Sequence, residues 1–155
     1  MERLAKGRAA AQVPDGPARW VRGRFPLAAQ VTIGTAQRRP RFGDPALALE
    51  VFMLLRENPR TLAAVVMPDH VHWLVGGGWD LAEVVGRFKE ASMRQALAGG
   101  DPRPLWQRSF FDAPVESEPV VRLSADYLLT NPVAAGLAGR WQDYPWAYLT
   151  PKLGG

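Results

Sequence analysis

The sequence predicts an α+β domain of the ferredoxin-like, split βαβ type, an antiparallel sheet with helices on one face, followed by a further C-terminal helix. Two observations predict it. Apolar segments of strand period and of helix period succeed one another in the order β-α-β-β-α-β-α, and the first six are the split βαβ arrangement. The 155 residues suit one domain rather than two, and 47% hydrophobic against 22% charged residues is enough for a packed core.

Residues 1–28 form a separate N-terminal arm. They carry Pro14, Gly16, Pro17, Gly23 and Pro26 among scattered arginines and show no period. Residues 29–155 hold the folded domain. The first strand runs from Leu27 to Ala36, where Val31 and Ile33 alternate with Thr32. A basic loop, Gln37-Arg38-Arg39-Pro40-Arg41, follows it.

The first helix opens with Asp44 as N-cap and Pro45 behind it, and Asn58-Pro59 stops it. Leu62 to Met67 and His70 to Val75 are two strands of a hairpin, turned at Pro68-Asp69. Asp80 and Glu83 have capping-box spacing. The helix they open has Leu81, Val84, Val85, Phe88 and Leu97 on one side and closes at Gly99-Gly100. Leu105 to Val115 is the fourth strand. Ser117 caps a last helix, Glu118 to Thr130, and the tail with Trp141, Tyr144, Trp146 and Tyr148 packs back on the core.

Absences narrow the chemistry. With no cysteine there is no disulfide, no thiolate metal site and no thiol nucleophile. The longest apolar runs are far too short for a membrane span, and the first residues lack a signal-peptide core, so a cytoplasmic protein is expected.

The formal charge is +4, carried by 16 Arg and only 3 Lys. Residues 1–60 hold 11 basic and 5 acidic side chains. This asymmetry points to a polyanion, nucleic acid above all, although arginine-rich usage also fits a GC-rich genome. Arg19, Arg22 and Arg24 lie beside Trp20 and Phe25, and Arg38, Arg39 and Arg41 follow the first strand. Arginines interleaved with aromatics suit backbone gripping and base stacking; a merely solvated surface would look the same.

The only two histidines are His70 and His72. On a strand they share a face, so the imidazoles form a candidate chelate that needs a further ligand. Two half-exposed polar side chains are the simpler alternative. Tyr127 and Asn131 sit four apart at the end of the last helix, so a phenol and an amide point the same way. Ordinary packing and a helix stop would also account for them.

Taken together, these residues resemble a known family. VVMPDHVHWLV is similar to the motif of the HUH single-tyrosine transposases. Trp106-Gln107, then Tyr127 to Leu137, then Asp143 to Trp146 resemble their REP-associated branch, as does Phe88-Lys89. The similarity covers roughly residues 30–149, and the arm adds little to it.

The resemblance implies a transposase-like enzyme that cleaves and rejoins single-stranded DNA at palindromic repeat hairpins through a 5′-phosphotyrosine. It implies His70, His72 and Asn131 as ligands of Mg²⁺ or Mn²⁺, Tyr127 as nucleophile and Lys89 as a helper near the DNA. It favours a monomer, with a homodimer open. A domesticated protein that binds structured DNA or RNA without cutting is the alternative, and a metal-dependent hydrolase a third.

Overall fold

The computed structural model describes residues 27–78 and 80–154. The arm lies outside the described residues, and Arg19, Arg22 and Arg24 with it.

Five antiparallel strands form one sheet in the order β4-β1-β3-β2-β5. They are β1 (Ala28–Gly34), β2 (Thr61–Met67), β3 (His70–Gly76), β4 (Phe111–Val115) and β5 (Ala147–Leu149). The expected split βαβ order is present, and the strand that begins with the histidines is the central one. Every second residue turns to the same face, so the sheet separates two cores. Val31, Ile33, Val66, Val71 and Trp73 belong to the first. Ala63, Val65, Met67 and Leu74 belong to the second.

Helices α1 (Pro45–Glu57) and α2 (Leu81–Ala98) cover the first face. Asp44 starts α1 by accepting from the Ala46 N–H at 3.0 Å, and Asp80 starts α2 by accepting from Glu83 N–H at 3.3 Å. Gly100, at φ 99°, supplies the left-handed residue after α2. Leu97 does not join the buried side; it is 50% exposed, and Ala96 is buried in its place. The residue one step earlier is the one that faces α1 and the sheet.

Helix α3 (Glu118–Leu129) lies on the second face, packed through Val121, Ala125, Leu128 and Leu129. It runs over β4, β3 and β2. Ser117 stands at its N-cap, but its side chain makes no capping bond. The one-turn helix α4 (Asn131–Ala134) follows directly, and another, α5 (Pro151–Gly154), ends the described chain.

Two features were not legible in the pattern. The stretch from Leu105 to Val115 is not one continuous strand. Trp106 bridges Thr35 and Phe111 pairs with Thr32, so three steps along β1 face five along the other segment. The aromatic tail supplies β5, which pairs with β2. Its aromatics divide between the cores: Trp146 and Tyr148 pack on the first, Trp141 and Tyr144 on the second. The Tyr144 hydroxyl donates to the Val66 carbonyl at 2.6 Å.

Candidate active site

Val71 is buried in the first core, so His70 and His72 project from the opposite face, the one that carries α3. Their Nε2 atoms lie 3.1 Å apart, and the rings stand edge to face at 89°. Each ring is held by its other nitrogen. His70 Nδ1 is 2.7 Å from Asp69 Oδ1, and His72 Nδ1 is 3.1 Å from Thr32 Oγ1 on the neighbouring strand.

One of these partners fixes a proton. An ionised carboxylate only accepts, so Nδ1 of His70 carries a hydrogen. The Thr32 hydroxyl can donate or accept and serves either tautomer of His72. Burial pushes the His72 pKa down to about 3, helped by the charges of His70 and Arg38. His72 is therefore neutral near pH 7. Burial alone would raise the pKa of Asp69, but hydrogen bonds and charge from His70 and Arg38 outweigh it and hold it below the usual value.

Arg38 reaches this corner through an unusual turn. Gln37 and Arg38 stand at φ 58° and 53°, two non-glycine residues in the left-handed region. Such residues cost about 1–3 kcal/mol each and persist only when their surroundings impose them. Thr35 Oγ1 ties the turn to the carbonyls of Arg39 (2.7 Å) and Asp69 (3.0 Å). Arg38 Nε then lies 3.3 Å from Asp69 Oδ2. Its Nη2 is also 3.3 Å from His70 Nδ1. That approach joins two donors, so it follows from their shared partner, Asp69, rather than from a bond between them.

The other expected residues are placed as follows. Tyr127 lies on α3, on the histidine side of the sheet, and is 47% exposed. No hydrogen bond or ring contact joins its phenol to either histidine. Asn131 donates from its side-chain amide to the Leu128 carbonyl at 2.8 Å, closing the end of α3. Lys89 donates to the carbonyls of Gln107 (2.8 Å) and Arg108 (3.3 Å), and burial pushes its pKa down to about 8. Arg39 is bonded to Gln37 at 2.6 Å. Arg41 is buried and ion-paired to Asp101 at 3.4 Å.

The donor set suits a divalent cation. A bond of about 2.1 Å at angles between octahedral and tetrahedral needs nitrogens about 3.0–3.4 Å apart, and these are 3.1 Å apart. Among the described residues no cluster of three or more His, Asp or Glu could share an ion. A further ligand from the described residues would thus be an amide, hydroxyl or carbonyl oxygen, a donor type that suits Mg²⁺ or Mn²⁺. Asp69 and Thr32 escaped notice in the sequence. The first stands beside His70 in Pro-Asp-His, and the second becomes visible only with the β1–β3 register.

No protein-family model matches the chain, and no curated protein matches it. Among solved structures, a REP-associated tyrosine transposase bound to a REP hairpin superposes with a TM-score of 0.60 at 21% identity. The match covers 81% of this chain and 79% of that one. The fold is that of a REP-associated tyrosine transposase. A candidate transposase from Deinococcus radiodurans R1 matches at TM-score 0.48 and 18% identity, over 75% of this chain and 96% of that one. In this transposase fold the histidines begin the middle strand and the tyrosine helix covers the face they project from. No described helix is long and apolar enough to cross a membrane.

Proposed function

We propose that the chain is a metal-dependent tyrosine transesterase that cuts and rejoins single-stranded DNA at hairpin-forming repeats. The observation that carries this is the convergence of two imidazole Nε2 atoms, 3.1 Å apart, on the face of the sheet that bears the Tyr127 helix. The solved transposase with this fold is bound to a REP hairpin, which supports hairpin DNA as the substrate.

His70 and His72 would hold Mg²⁺ or Mn²⁺, and the resemblance draws a third ligand from Asn131. When bound, the ion supplies positive charge to the phosphate oxygens. The chain's own residues do the rest. Asp69 and Thr32 keep the imidazoles aimed. Arg38, with a side chain 44% exposed beside His70, offers a guanidinium to the phosphate.

Tyr127 Oη attacks phosphorus, its P–O bond forms, and the bond to the 3′-oxygen breaks. The phenolic proton is lost and the 3′-oxygen leaves as a hydroxyl. The resulting 5′-phosphotyrosine keeps the ester bond, so a second 3′-hydroxyl can reverse the step without ATP. Movement of the exposed phenol onto the phosphate belongs to the DNA-bound state.

Incubation with hairpin-bearing single strands and Mn²⁺ tests the proposal. The wild type should give a protein–DNA adduct that survives denaturing electrophoresis. Tyr127→Phe should bind the same DNA and give none. Retained binding with no cleavage by the wild type over a broad panel of hairpins would favour the non-cutting binder. Free 5′-phosphate ends without any adduct would favour the hydrolase.

A further inference from the structure

We infer that Gln107 is a substrate-contacting residue whose carboxamide donates to the phosphate held at the histidine pair. This rests on the transesterase reading above and adds a residue to it. The inference starts from Gly34. In the β1–β3 register Gly34 stands directly opposite His70, and Thr32 opposite His72. Ile33 faces the first core, so a side chain at position 34 would project from the histidine face, next to His70. Glycine leaves that slot without one.

The slot is filled from another segment. A Cβ added to Gly34 would lie 3.1 Å from Cδ, Nε2 and Oε1 of Gln107 alike. The carboxamide therefore lies flat over Gly34, in the space of the missing side chain. Alternation accounts for the direction: Trp106 enters the first core, so its successor turns to the histidine face.

The backbone beneath is pinned on both sides. Gln107 N–H donates to the Gly34 carbonyl at 2.9 Å, and Lys89 donates to the Gln107 carbonyl at 2.8 Å. Trp106 is fixed in turn by its indole bond to Ser92 Oγ at 2.8 Å.

The amide itself is not used by the fold. Among the described residues the half-buried Gln107 side chain makes no hydrogen bond, although it carries two N–H donors and one acceptor. A neutral donor held over Gly34, the residue paired with His70, suits a phosphate oxygen. It adds hydrogen bonds where charge develops on the phosphate and needs little reorganisation to do so.

The test combines three variants with three measurements: the rate of adduct formation, hairpin affinity and Mn²⁺ affinity by calorimetry. Gln107→Ala should slow adduct formation about tenfold or more while Mn²⁺ affinity stays within about twofold. Gly34→Ala should act in the same direction, because its methyl group displaces the flexible end of Gln107 and leaves the backbone in place. Gln107→Glu should be slower still, because a carboxylate repels the phosphate.

Unchanged adduct rates in Gln107→Ala would overturn the inference. So would tighter Mn²⁺ binding by Gln107→Glu, which would make the residue a metal ligand instead. Failure of the wild type to form any adduct would overturn the transesterase reading itself, and this inference with it.

Discussion

Asp69 Oδ1 accepts the Nδ1 hydrogen of His70 at 2.7 Å, and that contact turns the opposite nitrogen of His70 toward His72. A carboxylate behind a ligating histidine fixes tautomer and ring angle together. Asp69→Asn keeps the shape but loses the charge that makes Nδ1 the protonated nitrogen. Mn²⁺ affinity should fall about 10- to 100-fold, measured by titration calorimetry, with the thermal midpoint nearly unchanged. Equal affinity would mean that Asp69 serves only the hairpin turn.

Ser92 is fully buried and accepts the Trp106 indole N–H at 2.8 Å. Ser92→Ala leaves that donor without a partner inside the first core. A loss of about 1–3 kcal/mol in urea unfolding is expected. The substitution also loosens the anchor under Gln107, so adduct formation should slow with it. A change below about 0.5 kcal/mol would show that the indole finds another acceptor.

Lys89 gives a pH signature. Its folded pKa is lowered to about 8 by burial, against 10.5 for the ordinary side chain. Between those values the unfolded chain binds more protons than the folded one, so stability rises with pH across that window. Below about pH 8 the full cost of burying the ammonium is present. Lys89→Met lacks this term. The wild type should therefore gain stability relative to the variant as pH goes from 8 to 10.5. Parallel curves would contradict the burial of Lys89 in its charged form.

Much of this fold is local in origin, and that part was legible. Asp44 and Asp80 cap the helices they precede, and Pro68-Asp69 turns the hairpin. The two-residue period also put His70 and His72 on one face. What escaped depends on contacts distant in sequence. β5 exists because the tail pairs with β2, and nothing in Ala147–Leu149 alone has strand length. The Leu105–Val115 run splits because Trp106 and Phe111 meet β1 in different registers. Thr32 and Gln107 join the site through strand pairing, with no spacing to announce them. Lys89 was expected near DNA and is found bonded to main-chain carbonyls, a partner that residue type alone does not reveal.

Tyr127 is half exposed and its phenol makes no hydrogen bond among the described residues. Tyr127→Phe should therefore change stability by less than about 0.5 kcal/mol in urea unfolding. A larger loss would give the phenol a structural task.

The most direct measurement is to map the attachment point. Wild-type protein is incubated with 5′-labelled and internally labelled hairpin strands and Mn²⁺, digested, and the nucleotide-bearing peptide sequenced by mass spectrometry. The account predicts one modified side chain, Tyr127, on a 5′-phosphate, and no modified peptide from His70→Ala or His72→Ala. A nucleotide attached to Tyr144, Tyr148 or any other residue, or an adduct that forms without both histidines, would contradict it.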